Sequence, residues 1–216
     1  MTDFASWTEY TRFLIGLIAV LDPFLAVPVF LSLTASRSDD ERRKIARGTA
    51  LTVFAVLLIS ALGGEALINL MGASLGSFRV GGGLILLLMA LAMLNAQPGG
   101  VRQSEQEAQD LQQHRHDSGG IVPLAVPLLA GPGAISTVII ATHNASLGHQ
   151  AVILGCVLLV CFLVWLTLLL AIPIGRKLGM TGLNIASRLL GLMLAAIAIE
   201  TMAAGLKQLF PALTGS

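Results

Sequence analysis

LDPFLAVPVF (21–30) and AGPGAISTVI (130–139) each set a proline inside a long apolar run. A proline within a helix removes one backbone N–H and crowds the carbonyl four residues back. In lipid this is tolerated only where protein, water or a ligand meets the freed groups. Pro23 frees the carbonyl of Ala19, and Pro28 that of Phe24. Asp is also a favoured N-cap, and Pro is suited to the first helical position. Asp22-Pro23 therefore reads as the start of a new half-helix. Gly131-Pro132-Gly133 reads as another, with Gly131 free to take an unusual φ.

The two breaks are related. Pro23 and Pro132 lie 109 positions apart, as do Met71 and Met180, Arg79 and Arg188, and Gly82 and Gly191. One offset that aligns four features points to two copies of one unit. The expected division is a first repeat over 1–96, a polar linker over 97–118 and a second repeat over 119–216.

The chain has 216 residues, is 55% hydrophobic and only 12% charged, with net charge +1. Soluble domains carry about 25% charged residues, so most of this surface is made for lipid. No basic stripe interleaved with aromatics suggests nucleic acid. Spanning the hydrocarbon core takes about 20 apolar residues, and six runs qualify: about 11–34, 47–70, 75–96, 119–142, 151–173 and 186–209. MTDFASWTEY lacks the positive start of a signal peptide, so the N-terminus is expected to be retained. Cys156 and Cys161 read as small packing residues within the fifth run.

Lys and Arg set orientation. Ten lie in the first, third and fifth links (among them Arg37, Arg42, Arg43, Lys44 and Arg47), against Arg12, Arg79 and Lys207 on the other side. Both termini are thus expected outside the cell. Three spans per copy make the second copy enter from the opposite side, so the fold class is an all-α membrane protein. Its six transmembrane helices form an inverted 3+3 repeat with helices one and four broken, a plan common among secondary transporters.

In that topology the half-helices from Pro23 and Pro132 begin near mid-membrane. Their positive dipole ends would suit a carboxylate, and Asp22 would suit an ammonium. The expected ligand is a zwitterion, with Ser136 and Thr137 adding hydroxyls. Glu200 lies well inside the sixth run, where an ionisable side chain costs about 2.5–3.5 kcal/mol on insertion scales. It is expected to face the interior or be protonated; its role is a structural hydrogen bond or, as an alternative to Asp22, proton coupling. Glu65 and Arg79 are expected to form a structural ion pair. Ser38 and Glu41 form the pattern of a capping box.

No Ser–Lys, His–Glu or paired-Asp constellation stands at membrane depth, and no HExxH occurs. His114 and His116 lie in the polar linker, and His143 and His149 in a short link without a carboxylate. No enzyme activity, metal or cofactor is therefore expected. Small residues along the third and fifth runs are compatible with a homo-oligomer and equally with packing inside one chain.

LDPFLAVPVFLSLT, SFRVGGGLILLLMALAM, VPLAVPLLAGPGAIST and SRLLGLMLAAIAIE resemble the MarC family of six-span bacterial inner-membrane proteins, which includes SnatA-type transporters of small neutral amino acids. The resemblance runs from about Phe13 to Pro211. It implies an inner-membrane protein with outer termini, in a family at least some of whose members move glycine- or alanine-like substrates. By motif it carries over Asp22, Pro23 and Pro28 from the first break, with Phe24 between them. From the second break it carries over Gly131, Pro132, Gly133, Ala134 and Ile135. The first motif commonly reads D/N-P-x-G, whereas here Leu25 and Ala26 follow Phe24. The competing reading is a non-transporting accessory or scaffold protein of the membrane.

Overall fold

The structure is a computed structural model that describes residues 3–35, 37–70, 72–95, 129–143 and 145–211. The linker over 97–118 and the first part of the fourth run, 119–128, lie outside the described residues. All regular structure among the described residues is helical. The helices are α1 (Asp3–Leu21), α2 (Pro23–Leu33), α3 (Asp39–Leu70), α4 (Leu75–Leu94), α5 (Pro132–Thr142), α6 (Leu147–Leu169) and α7 (Ala171–Leu209). Among the described residues, five segments are long and apolar enough to cross a membrane: Trp7–Leu33, Asp39–Gly64, Leu75–Leu94, Leu147–Leu169 and Ala171–Leu209. α5 is apolar but shorter.

Local chemistry explains the boundaries. Ser38 N–H donates to Glu41 Oε2 at 2.9 Å, and Glu41 N–H to Ser38 Oγ at 3.4 Å, closing the expected capping box ahead of α3. Ser74 Oγ and Ser146 Oγ cap α4 and α6 by accepting from Ser77 N–H and His149 N–H. Ser38→Ala is expected to cost about 1 kcal/mol of stability, read as a lower midpoint in thermal unfolding in detergent; Ser32→Ala, which removes no cap, is the comparison.

The C-terminal region corrects the sequence reading. The expected link between the fifth and sixth runs is helical, and α7 bends at Gly179, where φ is +60°. Glycine reaches that φ without a Cβ penalty. Pro173 lies in the first turn of α7, where its missing N–H has no intrahelical partner to lose. The helix therefore starts through the proline and bends six residues later.

Packing crosses the chain's midpoint. α4 lies against α7, and α3 against α6. The short helices exchange: α2 packs on α6 and α7, whereas α5 packs on α3 and α4. Glycines bring α4 and α7 close. A Cβ at Gly83 would stand 2.9 Å from the Ala198 carbonyl oxygen, and one at Gly191 would stand 3.2 Å from that of Ala90. Each of the seven helices contributes to one apolar core, including Leu17, Val27, Leu57, Leu86, Ala134, Val164 and Leu194. Outward, Ile59, Leu62, Leu158, Phe162, Leu189 and Leu192 are exposed, as suits a surface bathed in lipid.

Candidate functional site

α1 closes normally at its end, with Asp22 N–H donating to the Ile18 carbonyl at 3.0 Å. The chain then turns at Asp22, whose φ of 40° and ψ of 72° are left-handed. Among non-glycine residues, Asp and Asn tolerate this region best. Asp22 Oδ1 accepts from Leu25 N–H at 3.2 Å, capping α2, and also from Ser187 Oγ on α7 at 3.2 Å. The residue is fully buried. An acid in the middle of the core thus caps one helix and ties it to another.

The start of α5, where the second break is expected, is built differently. Gly131 has φ −70° and ψ 175°, an extended conformation open to any residue. The expectation of an unusual φ there is corrected: Pro132 confines the residue before it to extended backbone. The left-handed residue is Asp22 instead. The Gly131 carbonyl accepts from Ala134 and Ile135 N–H at 3.0 and 3.2 Å, starting α5. What glycine supplies in this segment is proximity, since a Cβ on Gly133 would lie 2.6 Å from Met89 Sδ on α4.

The remaining candidates separate. Ala134 is fully buried, Ile135 is half-buried and Pro132 is exposed. Ser136 is buried against Gly82, whose Cβ would stand 3.1 Å from its own. Thr137 Oγ1 donates to the Gly133 carbonyl at 2.8 Å, yet its side chain also lines a cavity of about 420 Å³. α1, α4, α5 and α7 enclose that space. Val20, Leu86 and Thr137 line it on the side of the breaks; Glu9, Arg12, Arg79 and Glu200 line it farther along their helices.

Glu200 is not a buried acid in the interior of the bundle. Arg12 Nη1 reaches its Oε1 at 2.9 Å, and both side chains are about two-thirds exposed along this cavity (66% and 65%). Helix α1 crosses α7 there and supplies the guanidinium, a contact that joins residues 188 positions apart. Arg79 lines the same cavity. The Glu65 side chain lies outside the described residues, and with it the expected Glu65–Arg79 pair.

Pro28 and Phe24 are half-buried on α2. Pro28 lines a second cavity of about 360 Å³ with Arg42, Arg176 and Gly179. Between the two cavities lies a sealed stretch, with Leu21, Asp22, Ala26 and Val27 all 1% exposed or less. His149 is held at the opposite end of the bundle from Arg42 by Tyr10 Oη at 3.1 Å and the Ala141 carbonyl at 3.3 Å. Among the described residues, no group of three His, Cys, Asp or Glu side chains is placed to hold a metal.

Sequence reasoning missed Ser187, Arg12 and Glu9. Ser187 opens the SRLLG segment, and only its hydroxyl beside a repeated Arg set it apart. In the sequence, Arg12 reads solely as an orientation signal.

Apolar helices with lipid-facing Leu and Ile, a sealed acid at a helix break and charged cavities on either side define a multi-span integral membrane protein. The family described as MarC family integral membrane protein matches residues 7–210. The chain belongs to that family. It is similar to the UPF0056 membrane protein YhcE of Escherichia coli (strain K12), at 35% identity over 97% of this chain and 97% of that protein. It is also similar to UPF0056 membrane protein MJ1677 of Methanocaldococcus jannaschii, at 37% identity over 89% and 93% of the two chains. UPF0056 membrane protein YvbG of Bacillus subtilis (strain 168) is 34% identical over 93% and 95%. No solved structure matches the chain.

Proposed function

We propose that this protein is a secondary transporter of small neutral amino acids, working by alternating access through an inverted 3+3 repeat in the bacterial inner membrane. The observation that carries this reading is the sealed Asp22 between two cavities, one lined by Val20 and one by Pro28. A substrate released from one cavity to the other has to pass the carboxylate at the break. The N-termini of α2 and α5 favour the substrate carboxylate, and Asp22 favours its ammonium. Pro23, Gly131 and Pro132 keep the backbone open at the two breaks.

The packing supports the repeat. Each half-helix after a break, α2 or α5, lies on two long helices from the other half of the chain. The close contacts of Gly83 with Ala198 and of Gly191 with Ala90 are also nearly reciprocal under the 109-residue offset. Two-fold-related surfaces meet in that manner. Outer termini follow from the Lys and Arg count: Arg42, Arg43 and Arg47 cluster at one cavity and Arg12 and Arg79 at another.

Protein reconstituted in liposomes is expected to take up labelled alanine or glycine, and these amino acids are expected to raise its unfolding temperature, since a ligand of the folded state stabilises it. Absence of both responses across the twenty amino acids would sink the transporter reading. Proton coupling is assigned to Asp22 in preference to Glu200, because Asp22 is sealed at the break whereas Glu200 is about two-thirds exposed and held by Arg12. A Glu200→Gln variant is accordingly expected to keep uptake driven by a pH gradient; loss of that drive with intact binding would transfer the role to Glu200.

A further inference from the structure

We propose that the slot between α3 and α6 is a binding site for one anionic phospholipid, with an acyl chain in the slot and the phosphate on Arg43 and Arg47. The slot has a volume of about 540 Å³ and is walled by Leu51, Phe54, Gly155, Leu158, Phe162 and Trp165. Among the described residues, Arg47 is its one charged lining residue. At Arg47 and Trp165 it meets a second cavity, of about 680 Å³, which Arg42 and Arg43 also line. Polarity therefore changes once along the groove, from hydrocarbon to a basic end, which is the layout of an amphiphile with an anionic head.

Dimensions agree with a lipid chain. From Gly155 to Trp165, α6 rises about 15 Å, close to half of the roughly 30 Å hydrocarbon core. The slot is thus one leaflet deep. Gly155 keeps it open: a Cβ there would meet nothing within 4 Å. Phe162 and Trp165, with ring centroids 5.6 Å apart and tilted at 48°, form a firm aromatic wall beside the basic end.

Two of the charges are exposed and open to a partner. Arg42 is already engaged, donating to the Thr34 carbonyl at 3.0 Å and standing 3.8 Å from Asp39, the one acid in the basic cavity. Arg43 and Arg47 form no ion pair among the described residues. They are one helical turn apart on α3, an arrangement in which like charges repel. A phosphate between them removes that repulsion, and basic pockets beside membrane helices take anionic headgroups for this reason. Zwitterionic lipid fills the slot equally well but brings a compensating cation to the same two arginines.

The test compares phosphatidylglycerol, phosphatidylcholine with the same chains, and inorganic phosphate, each added to delipidated protein in neutral detergent. Retained lipid is counted by native mass spectrometry, and unfolding temperature is measured in parallel. Phosphatidylglycerol is expected to be retained one per chain and to stabilise; phosphatidylcholine is expected to bind about tenfold more weakly, and phosphate alone to leave the unfolding temperature unchanged. Arg43→Gln with Arg47→Gln is expected to erase the difference between the two lipids. Gly155→Leu projects into the slot from a Cβ that meets nothing within 4 Å and improves helix propensity, so the lipid-free protein is expected to stay folded while losing both lipids. Equal retention of the two lipids by the native chain, full retention by Gly155→Leu, or stabilisation by phosphate alone would each overturn the site. So would a dimer that Gly155→Leu dissociates, which would put a second copy in the slot. None of these readouts depends on transport.

Discussion

Asp22→Asn is expected to fold with nearly native stability and to lose uptake of small neutral amino acids by roughly 10- to 100-fold. Asn keeps an oxygen that can accept from Leu25 N–H and Ser187 Oγ, the two bonds that Asp22 Oδ1 makes at 3.2 Å. It caps helices as well as Asp does and tolerates the left-handed backbone that φ 40° requires. What it lacks is the negative charge. A hydrogen bond to a charged group contributes about 1.5–3 kcal/mol, which sets the expected loss in uptake at a substrate ammonium. Asp22→Ala removes structure as well as charge. It loses a cap worth about 1 kcal/mol, strains the turn by about 1–2 kcal/mol and strands the buried Ser187 hydroxyl. Measured together, unfolding midpoints should fall only for Ala, whereas uptake should fall for both. Undiminished uptake by Asn, with loss in Ala alone, would make Asp22 a structural cap and remove it from substrate binding.

Gly205→Leu is expected to cost about 3 kcal/mol or more, among the largest effects of any single change in the bundle. A Cβ at this position of α7 would lie 2.7 Å from the Gly76 carbonyl oxygen and 2.9 Å from Arg79 Cβ on α4. Backbone cannot rotate away as a side chain can, so the two helices have to separate. The same interface carries the close approaches of Gly83 and Gly191, which would lose their contacts as well. Overpacking a tight core typically costs about 1–3 kcal/mol, and here the clash is with main chain. Gly81→Ala is the control, because its Cβ would meet nothing within 4 Å. Higher helix propensity is expected to leave that variant neutral or stabilised by up to about 1 kcal/mol. Similar unfolding temperatures for the two variants would show that α4 and α7 are not held by glycine proximity. Because Arg79 borders the cavity, Gly205→Leu is also expected to impair uptake, but only alongside the loss of fold.

The helix starts at Pro23, Asp39 and Pro132 were legible in the amino-acid order because their causes are local. Pro23 lacks an N–H wherever the chain goes, Asp22 reaches a backbone donor three residues ahead, and Ser38 and Glu41 satisfy each other within one turn. Even the Gly131 backbone was implied by the proline that follows it, although glycine's freedom drew attention the other way. The bend at Gly179 was hidden for the opposite reason. A run with Pro173, Gly175 and Gly179 resembles a loop, yet Pro173 falls in the first turn of α7, Gly175 packs on Leu31 of α2 and Gly179 takes the bend.

Partners across the bundle were another matter. Asp22 and Ser187 are 165 positions apart, and Arg12 and Glu200 are 188 apart. Whether such groups meet depends on how α1 and α2 cross α7, to which residue-by-residue propensity is blind. By itself, the sequence determined that the chain is built of apolar helices and where the first of them breaks, since covalent geometry and short-range hydrogen bonds act within a few residues. Only the tertiary structure decided that Asp22 is sealed between two cavities and that Glu200 is held by Arg12, because both follow from the crossing of helices distant in the chain.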